Sequence, residues 1–214
     1  MISYYGESVS SKTLALWERQ DRHKGDRWRL FRAISAAVPA NKVLYPGSYV
    51  DIAPSFVFDD VTYADMDKRA AKFFADEVGV HQIIEGHKGS KKACVQFVSG
   101  DYQTLDLEEQ GYDLLISLYA GFISEPCGHL LRIGGVLLVN SSHGDAALAA
   151  LDIRFELVGV VESVSGVYRV KDLNLEGYMI PKKPQAITRE SIMKSYRGIA
   201  YTKSPFAYLF RRVS

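Results

Sequence analysis

The chain has 214 residues, of which 47% are hydrophobic, and its formal net charge is +1. This length and composition suit one sizeable α/β domain with its own core and argue against a low-complexity protein. The N-terminus lacks a basic segment followed by an apolar one, and no run approaches the roughly 20 apolar residues that span a bilayer, so we expect a soluble, cytoplasmic protein with no membrane partner.

Charge is distributed unevenly along the chain. Residues 1–42 contain 8 Lys/Arg and 4 Asp/Glu, residues 43–170 contain 9 and 18, and residues 171–214 contain 9 and 3. The basic ends either contact an anionic substrate or nucleic acid, or they pack on the acidic centre or stay solvated. We favour the second interpretation, because residues 24–32, "KGDRWRLFR", intersperse charges with apolar side chains as a surface helix does.

The first predicted unit is a helical segment, residues 1–41. Within it, apolar residues recur at three- to four-residue spacing over residues 11–38, with a break near Gly25 and a stop at Pro39. We therefore expect helices that precede the first strand.

From residue 42 to residue 171, short β-rich runs alternate with helical patterns. The strand candidates are "KVLYP", "VTYAD", "CVQFVSGD", "YDLLISL", "GVLLVNS", "RFELVGVVE" and "GVYRV", and the helix candidates span residues 52–58, 67–78, 121–131 and 144–151. This alternation predicts a mostly parallel sheet with helices on both faces. The short "SVSG" connection between the last two strands predicts an antiparallel hairpin.

Residues 172–214 are predicted to be a C-terminal extension packed on the same domain. "IPKKPQ", residues 180–185, is typical of a linker, and Thr188 can cap a short helix after it. "FAYLFRRV" near the end indicates a terminal strand or a packed tail. An earlier segment, "EGHKGSKK" at residues 85–92, is predicted to be a basic, mobile loop.

Candidate ligand-binding residues lie at the predicted carboxyl ends of the strands, where doubly wound sheets bind their ligands. A carboxylate after the second strand can accept both hydroxyls of a ribose, and one after the third can accept an adenine amine. The residues at these ends are Gly47, Ser48, Tyr49, Asp65, Asp101, Ser117, Leu118 and Tyr119.

This ordered set resembles the class I S-adenosylmethionine-dependent methyltransferases over roughly residues 40–171. "VLYPGSYVD" resembles their glycine motif, "VTYADMD" the acidic end of the second strand, and "VSGDYQTL" the acidic third-strand motif. "YDLLISLYAGF" and "LLRIGGVLLVNS" are similar to the fourth and fifth strands. The resemblance implies a Rossmann-like α/β fold with a seven-stranded, mostly parallel sheet in the order 3-2-1-4-5-7-6, whose last hairpin is antiparallel.

The resemblance also implies S-adenosylmethionine as the cofactor and assigns roles to residues. Gly47 and Ser48 would line its methionine end, Asp65 would hold the ribose, and Asp101 would face the adenine amine, whereas the segment from Ser117 to Tyr119 would border the transferred methyl group. The full candidate set for the cofactor is Tyr45, Gly47, Ser48, Tyr49, Asp65, Met66, Asp101, Tyr102, Ser117 and Leu118.

The chain departs from the family pattern at three positions of the first motif. Tyr45 stands where the family has an acidic residue, and Tyr49 and Asp51 stand where it has further glycines. A bulky side chain at a glycine position strains positive φ by about 1 kcal/mol or more. Tyr49 therefore either covers the cofactor or fills its place. Asp51, at a helix start, competes with a pyrophosphate, which disfavours NAD and FAD, or it is simply a helix cap.

Catalytic and metal-binding signals are weak. Tyr119 could orient a substrate, and His143 could act as a general base, although a structural role in its loop is the stronger reading. Asp67 is expected to cap a helix rather than join Asp65 in chelating a metal. We expect no metal site, and we expect Cys94 and Cys127 to be buried, reduced thiols.

The preferred hypothesis is a methyltransferase that acts on a small molecule or another polar acceptor. Direct transfer from a sulfonium needs mainly positioning and desolvation, so a diagnostic catalytic residue is not required. Two alternatives remain. One is an inactive methyltransferase-fold scaffold, which the altered glycine motif favours. The other is an RNA-binding or RNA-modifying protein that uses the basic ends, although "SLYAGF" after the fourth strand makes nucleic acid a less favoured partner.

Overall fold

The β-rich runs of the sequence form strands. A computed structural model describes residues 10–88, 93–184 and 186–214, and in these residues the chain forms one eight-stranded sheet. The strands are β1 (Lys42–Pro46), β2 (Asp60–Asp65), β3 (Cys94–Ser99), β4 (Tyr112–Ser117), β5 (Leu131–Val139), β6 (Phe155–Val164), β7 (Val167–Lys171) and β8 (Ala207–Arg212). All seven strands predicted between residues 42 and 171 are among them.

Side-chain caps begin three of the α-helices of the described residues, at Ser10, Asp67 and Thr188. Ser10 accepts a 3.2 Å hydrogen bond from the amide of Thr13 at the first helix, and Thr188 caps the last one as predicted. Gly25, with φ of 78°, separates the first two. The α-helices are α1 (Ser11–Gln20), α2 (Asp26–Ala37), α3 (Lys68–Phe74), α4 (Glu77–Lys88), α5 (Ser124–Cys127), α6 (Asp145–Leu151) and α7 (Arg189–Ser195).

The sheet is mixed and mostly parallel, as predicted. Its spatial order is β3-β2-β1-β4-β5-β8-β6-β7, and β1 to β5 pair in parallel with their neighbours. β6 and β7 form the predicted antiparallel hairpin, and β8 runs antiparallel to both β5 and β6. The order of strands therefore reverses between β1 and β4.

The predicted order 3-2-1-4-5-7-6 is corrected in one respect. The place beside β5 is taken by β8, and β7 lies outside β6 at the edge of an eight-stranded sheet. The burial of the two strands explains this exchange. Residues 207–210 are all buried, as a central strand requires, whereas β7 alternates between exposed and buried positions, as suits an edge. "FAYLFRRV" is thus a strand of the sheet and not a tail.

Two apolar cores cover the two faces of the sheet. One joins residues of α1, α2, α3 and α4 to the sheet, with Phe31, Tyr63 and Phe73 among its large buried side chains. The other joins α5, the start of α6 and the C-terminal segment to the opposite face. Alternate residues of β8 serve the two cores, Leu209 the first and Phe210 the second. The basic N-terminal helices therefore pack on the domain.

Three local predictions differ from the structure or lie partly outside the described residues. The predicted helix 67–78 is two helices, α3 and α4. In the predicted loop 85–92, residues 85–88 complete α4, and residues 89–92 lie outside the described residues. Cys127 is buried as expected, but Cys94 is exposed, because it begins β3 at the edge of the sheet.

Candidate functional site

The turn after β1 lies where the strand order reverses, which is where open α/β sheets bind ligands. Gly47 makes the turn possible. Its φ is 65°, and a Cβ atom at this position would lie 2.3 Å from the Cβ of Ala120. Its amide donates a 2.7 Å hydrogen bond to the carbonyl oxygen of Ala64. The β1 turn is therefore tied to the end of β2 and packed against the segment after β4.

Tyr49 adopts the left-handed conformation that a glycine would normally supply, with φ of 52°. Its amide donates a 2.7 Å hydrogen bond to Oδ2 of Asp65. The amide of Asp67 donates a second 2.7 Å bond to Oδ1 of the same carboxylate. Each carboxylate oxygen has a further lone pair, so Asp65 is fixed by the backbone and keeps acceptor capacity for a ligand.

The residues after β2 hold the ring of Tyr49. Asp67 caps α3 as predicted, accepting a 2.7 Å hydrogen bond from the amide of Arg69. The Arg69 side chain hydrogen-bonds the same carboxylate and lowers the pKa of Asp67 to about 2. The guanidinium carbon of Arg69 lies 5.0 Å from the centroid of the Tyr49 ring, within cation–π range. Met66, which lies between Asp65 and Asp67 in the sequence, is 69% exposed.

The end of β3 contributes Asp101 and Tyr102. Asp101 accepts a 2.9 Å hydrogen bond from the amide of Gln103 and so caps a short 3-10 helix over residues 102–104. Tyr102 is half-buried, and burial together with nearby Tyr196 raises the pKa of its hydroxyl. The hydroxyls of both tyrosines approach Gly121, where a Cβ atom would meet them at 2.9 and 2.6 Å.

Ser117, at the end of β4, faces a buried carboxylate. Its hydroxyl donates a 2.6 Å hydrogen bond to Asp145, which also accepts a 2.6 Å bond from the hydroxyl of Ser124. The amides of Ile123 and Ser124 donate to the same carboxylate at 3.2 and 3.1 Å. Asp145 is 1% exposed, and burial raises its pKa. Ser117 thus joins β4 to α5 and α6.

His143 and Tyr119 flank the ends of β5 and β4. Nδ1 of His143 lies 3.1 Å from the hydroxyl oxygen of Ser142, and its ring meets Tyr196 edge to face at 5.0 Å. Tyr119 is 53% exposed, and its amide donates a 3.5 Å bond to Oδ1 of Asn140. Both predicted catalytic candidates therefore lie at the carboxyl edge of the sheet.

Left-handed backbone conformations concentrate at this edge. Tyr49, Tyr119, His143 and Tyr196 have φ of 52°, 63°, 59° and 50°. Such values are uncommon outside glycine and cost about 1–3 kcal/mol each, so they persist only where the surrounding structure imposes them. Tyr196 is the C-cap of α7, where this conformation is common, so the strain at this edge lies at Tyr49, Tyr119 and His143.

A buried ion pair lies beneath the β1 turn. Nε of Arg27, in α2, is 3.5 Å from Oδ2 of Asp51, and their side chains are 20% and 1% exposed. The Tyr45 hydroxyl donates a 3.3 Å hydrogen bond to the same oxygen, and the Ala53 amide donates to Oδ1 at 3.2 Å. Burial nevertheless raises the pKa of Asp51. Asp51 is therefore bonded within the protein, but it is not the predicted cap, because Ile52 is the N-cap of the short 3-10 helix Ala53–Phe56 that follows.

Two cavities adjoin the β1 turn. We call the larger one, of about 710 Å³, the front cavity. It lies between the α1–α2 turn, the β1 turn and the end of β4. The smaller, of about 460 Å³, opens beside Asp65 and we call it the side cavity. Arg19, Gln20 and Tyr49 line both cavities. The front cavity is lined by residues 19–23, 26–27, 45, 47–49, 118–119 and 206, and the side cavity by residues 16, 19–20, 49, 65, 67 and 69.

The structure thus brings most of the predicted residues to one edge, and it adds others. Arg27 and Asp145 were not singled out from the sequence. Arg27 is hidden in a charged helix pattern, and Asp145 follows a loop without a recognisable motif. In the part of the chain that the structure describes, no group of three or more His, Cys, Asp or Glu is arranged to hold a metal ion. None of the described helices is long and apolar enough to cross a membrane.

Comparisons with known proteins bear on the fold. No family model matches the sequence, and no curated protein matches it. Solved structures do match. A chain of the complex between the Haloferax volcanii Trm112 methyltransferase activator and a methyltransferase is 13% identical, with a TM-score of 0.53 over 95% of this chain and 98% of that one. A SAM-dependent methyltransferase from Thermotoga maritima is 11% identical, with a TM-score of 0.51 over 94% and 96%. The chain has the Rossmann-like fold of the class I S-adenosylmethionine-dependent methyltransferases.

Proposed function

We propose that the chain binds S-adenosylmethionine across the β1 turn and transfers its methyl group to a small polar acceptor in the front cavity. The proposal rests on the geometry of Asp65. The amides of Tyr49 and Asp67 hydrogen-bond its carboxylate, which lies beside the side cavity. This is the arrangement that a ribose-binding carboxylate needs, because the backbone fixes its direction and leaves lone pairs unused. Both solved structures compared above are described as methyltransferases.

The residues present fit this cofactor and do not favour a dinucleotide. Gly47 leaves no room for a side chain, which keeps the β1 turn close to the segment after β4. Asp51 is fully buried beneath the turn and places a carboxylate where a pyrophosphate would need backbone amides and positive charge. S-adenosylmethionine has no phosphate and carries positive charge, so a carboxylate nearby is compatible with it.

When bound, the cofactor supplies an electrophilic methyl group on a sulfonium, which an acceptor nucleophile takes by direct displacement. In this proposal Asp65 orients the ribose, and Tyr49 separates the adenosine side from the front cavity. Tyr119, at the mouth of that cavity, positions the acceptor. Such positioning, together with exclusion of water, supplies most of the catalysis in a direct displacement.

The strained backbone supports an active site over an inactive scaffold. Tyr49 and Tyr119 hold left-handed backbone at the carboxyl ends of the strands, at a cost of about 1 kcal/mol or more each. Evolution removes such strain readily by substitution to glycine or asparagine, which adopt these angles at little cost.

Isothermal titration calorimetry with S-adenosylmethionine and S-adenosylhomocysteine tests the proposal. We expect binding by the wild type and a loss of at least about tenfold in Asp65→Ala, since charge-assisted hydrogen bonds to the ribose disappear. Asp172→Ala, which removes an exposed carboxylate after β7, is the matched control and should bind as the wild type does. The absence of binding at millimolar ligand would reject the proposal and favour the scaffold.

A further inference from the structure

The front cavity combines the size of a small-molecule site with an excess of positive charge. Its volume of about 710 Å³ falls in the range of small-molecule sites, which is about 300–1,000 Å³. Arg19, Arg22 and His23 contribute to its walls from the end of α1 and the turn after it, and Arg27 contributes from α2. Asp21 and Asp26 are the acidic residues of these walls.

The acidic side chains of the cavity are bound to the protein itself. Asp21 accepts a 2.7 Å hydrogen bond from the amide of Gly25. Asp26 accepts a 2.9 Å bond from the hydroxyl of Tyr168 and pairs with Arg29 at 3.3 Å. By contrast, neither Arg19 nor Arg22 forms an ion pair or a hydrogen bond with any described residue. The unbonded charge that faces the cavity is therefore positive.

Arg27 supplies a directed cation at the inner end of the cavity. Its Nε faces Asp51, and its guanidinium carbon lies 5.2 Å from the centroid of the Tyr119 ring. Among the described residues, its terminal nitrogens have no hydrogen-bond partner. The two terminal nitrogens of this planar guanidinium can bind the two oxygens of a carboxylate in a bidentate arrangement.

Asp51 does not occupy all of the donors of Arg27. Its carboxylate lies 3.5 Å from Nε and also accepts hydrogen bonds from the Tyr45 hydroxyl and the Ala53 amide, so the terminal nitrogens of Arg27 are left for a ligand. A single guanidinium at the inner end, in front of a carboxyl group, suits a monoanion better than a phosphate dianion. The arginines at the mouth then attract the same ligand from solvent by electrostatic steering.

We infer that the front cavity receives a small carboxylic acid, whose carboxylate binds Arg27 and whose entry is assisted by Arg19 and Arg22. The inference rests on the proposed function, in which this acid is the methyl acceptor. A nucleophilic atom of the acid outside the carboxylate forms the bond to the methyl carbon as the methyl–sulfur bond breaks, S-adenosylhomocysteine leaves, and the proton of the nucleophile passes to solvent. The adjoining ring of Tyr119 offers an apolar surface to the body of the ligand, and Gly47 to Tyr49 form the wall nearest the proposed cofactor.

Ligand-observed NMR on the full chain, with S-adenosylhomocysteine present, tests the inference with two probes of similar shape. Benzoate carries the carboxylate, and benzamide is its neutral counterpart. We expect benzoate to bind at least about tenfold more tightly, since only benzoate forms charge-assisted hydrogen bonds with a guanidinium. Equal binding of the two probes would overturn the inference, and tighter binding of phenyl phosphate would overturn the choice of a carboxylate.

Variants locate the binding group. Arg27→Met should remove the preference for benzoate, and the double variant Arg19→Gln/Arg22→Gln should reduce it by a few fold. Arg32→Gln is the matched control, because Arg32 is an exposed arginine of the same helix outside the cavity. If Arg27→Met leaves a buried carboxylate and unfolds the protein, Arg27→Met/Asp51→Asn removes both charges and keeps the test valid.

The test separates this inference from the proposed function. Titration of S-adenosylhomocysteine into the same variants reports on the cofactor alone. If Arg27→Met weakens S-adenosylhomocysteine and leaves benzoate unchanged, the guanidinium serves the cofactor and the inference is wrong. If the wild type binds no S-adenosylhomocysteine yet prefers benzoate, the proposed function fails while the anion site stands. Retention of RNA that Arg19→Gln/Arg22→Gln abolishes, without a preference for benzoate, would assign the charge to nucleic acid.

Discussion

The backbone amide of Tyr49 donates a 2.7 Å hydrogen bond to the carboxylate of Asp65. This bond connects the residue that departs from the glycine motif with the residue that matches the family pattern best. The left-handed conformation of Tyr49 occurs together with this bond to the carboxylate, and Tyr49 lines both cavities. Tyr49 therefore helps to hold the β1 turn to the end of β2 through its backbone amide.

Replacement of Tyr49 by glycine should separate stability from binding. Glycine relieves about 1–2 kcal/mol of left-handed strain, which offsets the loss of ring packing and of the contact with Arg69, so the free energy of unfolding should change little. The affinity for S-adenosylhomocysteine, measured by calorimetry, should fall about tenfold, because the ring that lines both cavities disappears. Tyr49→Phe keeps the ring and is the control. A tighter complex with Tyr49→Gly would mean that the ring occupies the cofactor's place.

Gly47→Ala should destabilise the protein by more than about 2 kcal/mol, since strain at positive φ adds to the overlap with Ala120. Urea denaturation measures this change. Gly86→Ala is the matched control: in α4, a Cβ atom there would meet nothing within 4 Å, and helix propensity should stabilise it by about 0.5–1 kcal/mol. Equal stability of the two variants would contradict the tight approach of the β1 turn to Ala120.

The Arg27–Asp51 pair should behave as a coupled unit in a double-mutant cycle. Arg27→Met leaves the buried carboxyl group of Asp51 without its cation and should cost about 3 kcal/mol. Arg27→Met/Asp51→Asn should recover most of that loss in urea denaturation, because neither charge remains. If the two single changes add without coupling, the pair contributes nothing to the stability of the β1 turn.

Asp145 should make the protein less stable as pH rises. Burial raises its folded pKa above the ordinary value of 3.8, so the folded state binds more protons than the unfolded state above that pH. Its contribution is therefore fully present below 3.8 and is lost as pH increases through the folded pKa. The stability of the wild type relative to Asp145→Asn should decrease as pH rises above 3.8.

Urea denaturation of both proteins at each pH measures this difference. Asp172→Asn gives the baseline for removing an exposed carboxylate. An increase in this stability difference with pH would mean that hydrogen bonds from the surrounding hydroxyls and amides stabilise the ionised form of Asp145 more than burial destabilises it.

Much of the fold could be predicted because local patterns and global packing agree. The alternation of strands and helices from β1 to β5 predicted the parallel half of the sheet, and the short "SVSG" connection predicted the antiparallel hairpin. The position of β8 could not be predicted in this way, since no local pattern states which strand a distant segment joins. Only the burial of residues 207–210 on both faces distinguishes it from the alternating β7.

The candidate site shows the same division. Asp65 and Gly47 could be predicted because strand ends meet at one edge in any doubly wound sheet. Arg27 could not, because its partner Asp51 is distant in sequence and the helix pattern around it is that of an ordinary surface helix. The contact between Tyr196 and His143 likewise depends on how α7 packs, which no spacing encodes.

The insertion of β8 between β5 and β6 also sets an order of events during synthesis. β5, β6 and β7 leave the ribosome before their central neighbour, so the facing edges of β5 and β6 have unpaired amides and carbonyls until residue 212 has emerged. Such open edges invite association with other chains. Because Ala207 and Leu209 also belong to the first core, that core is completed only when β8 takes its place in the sheet.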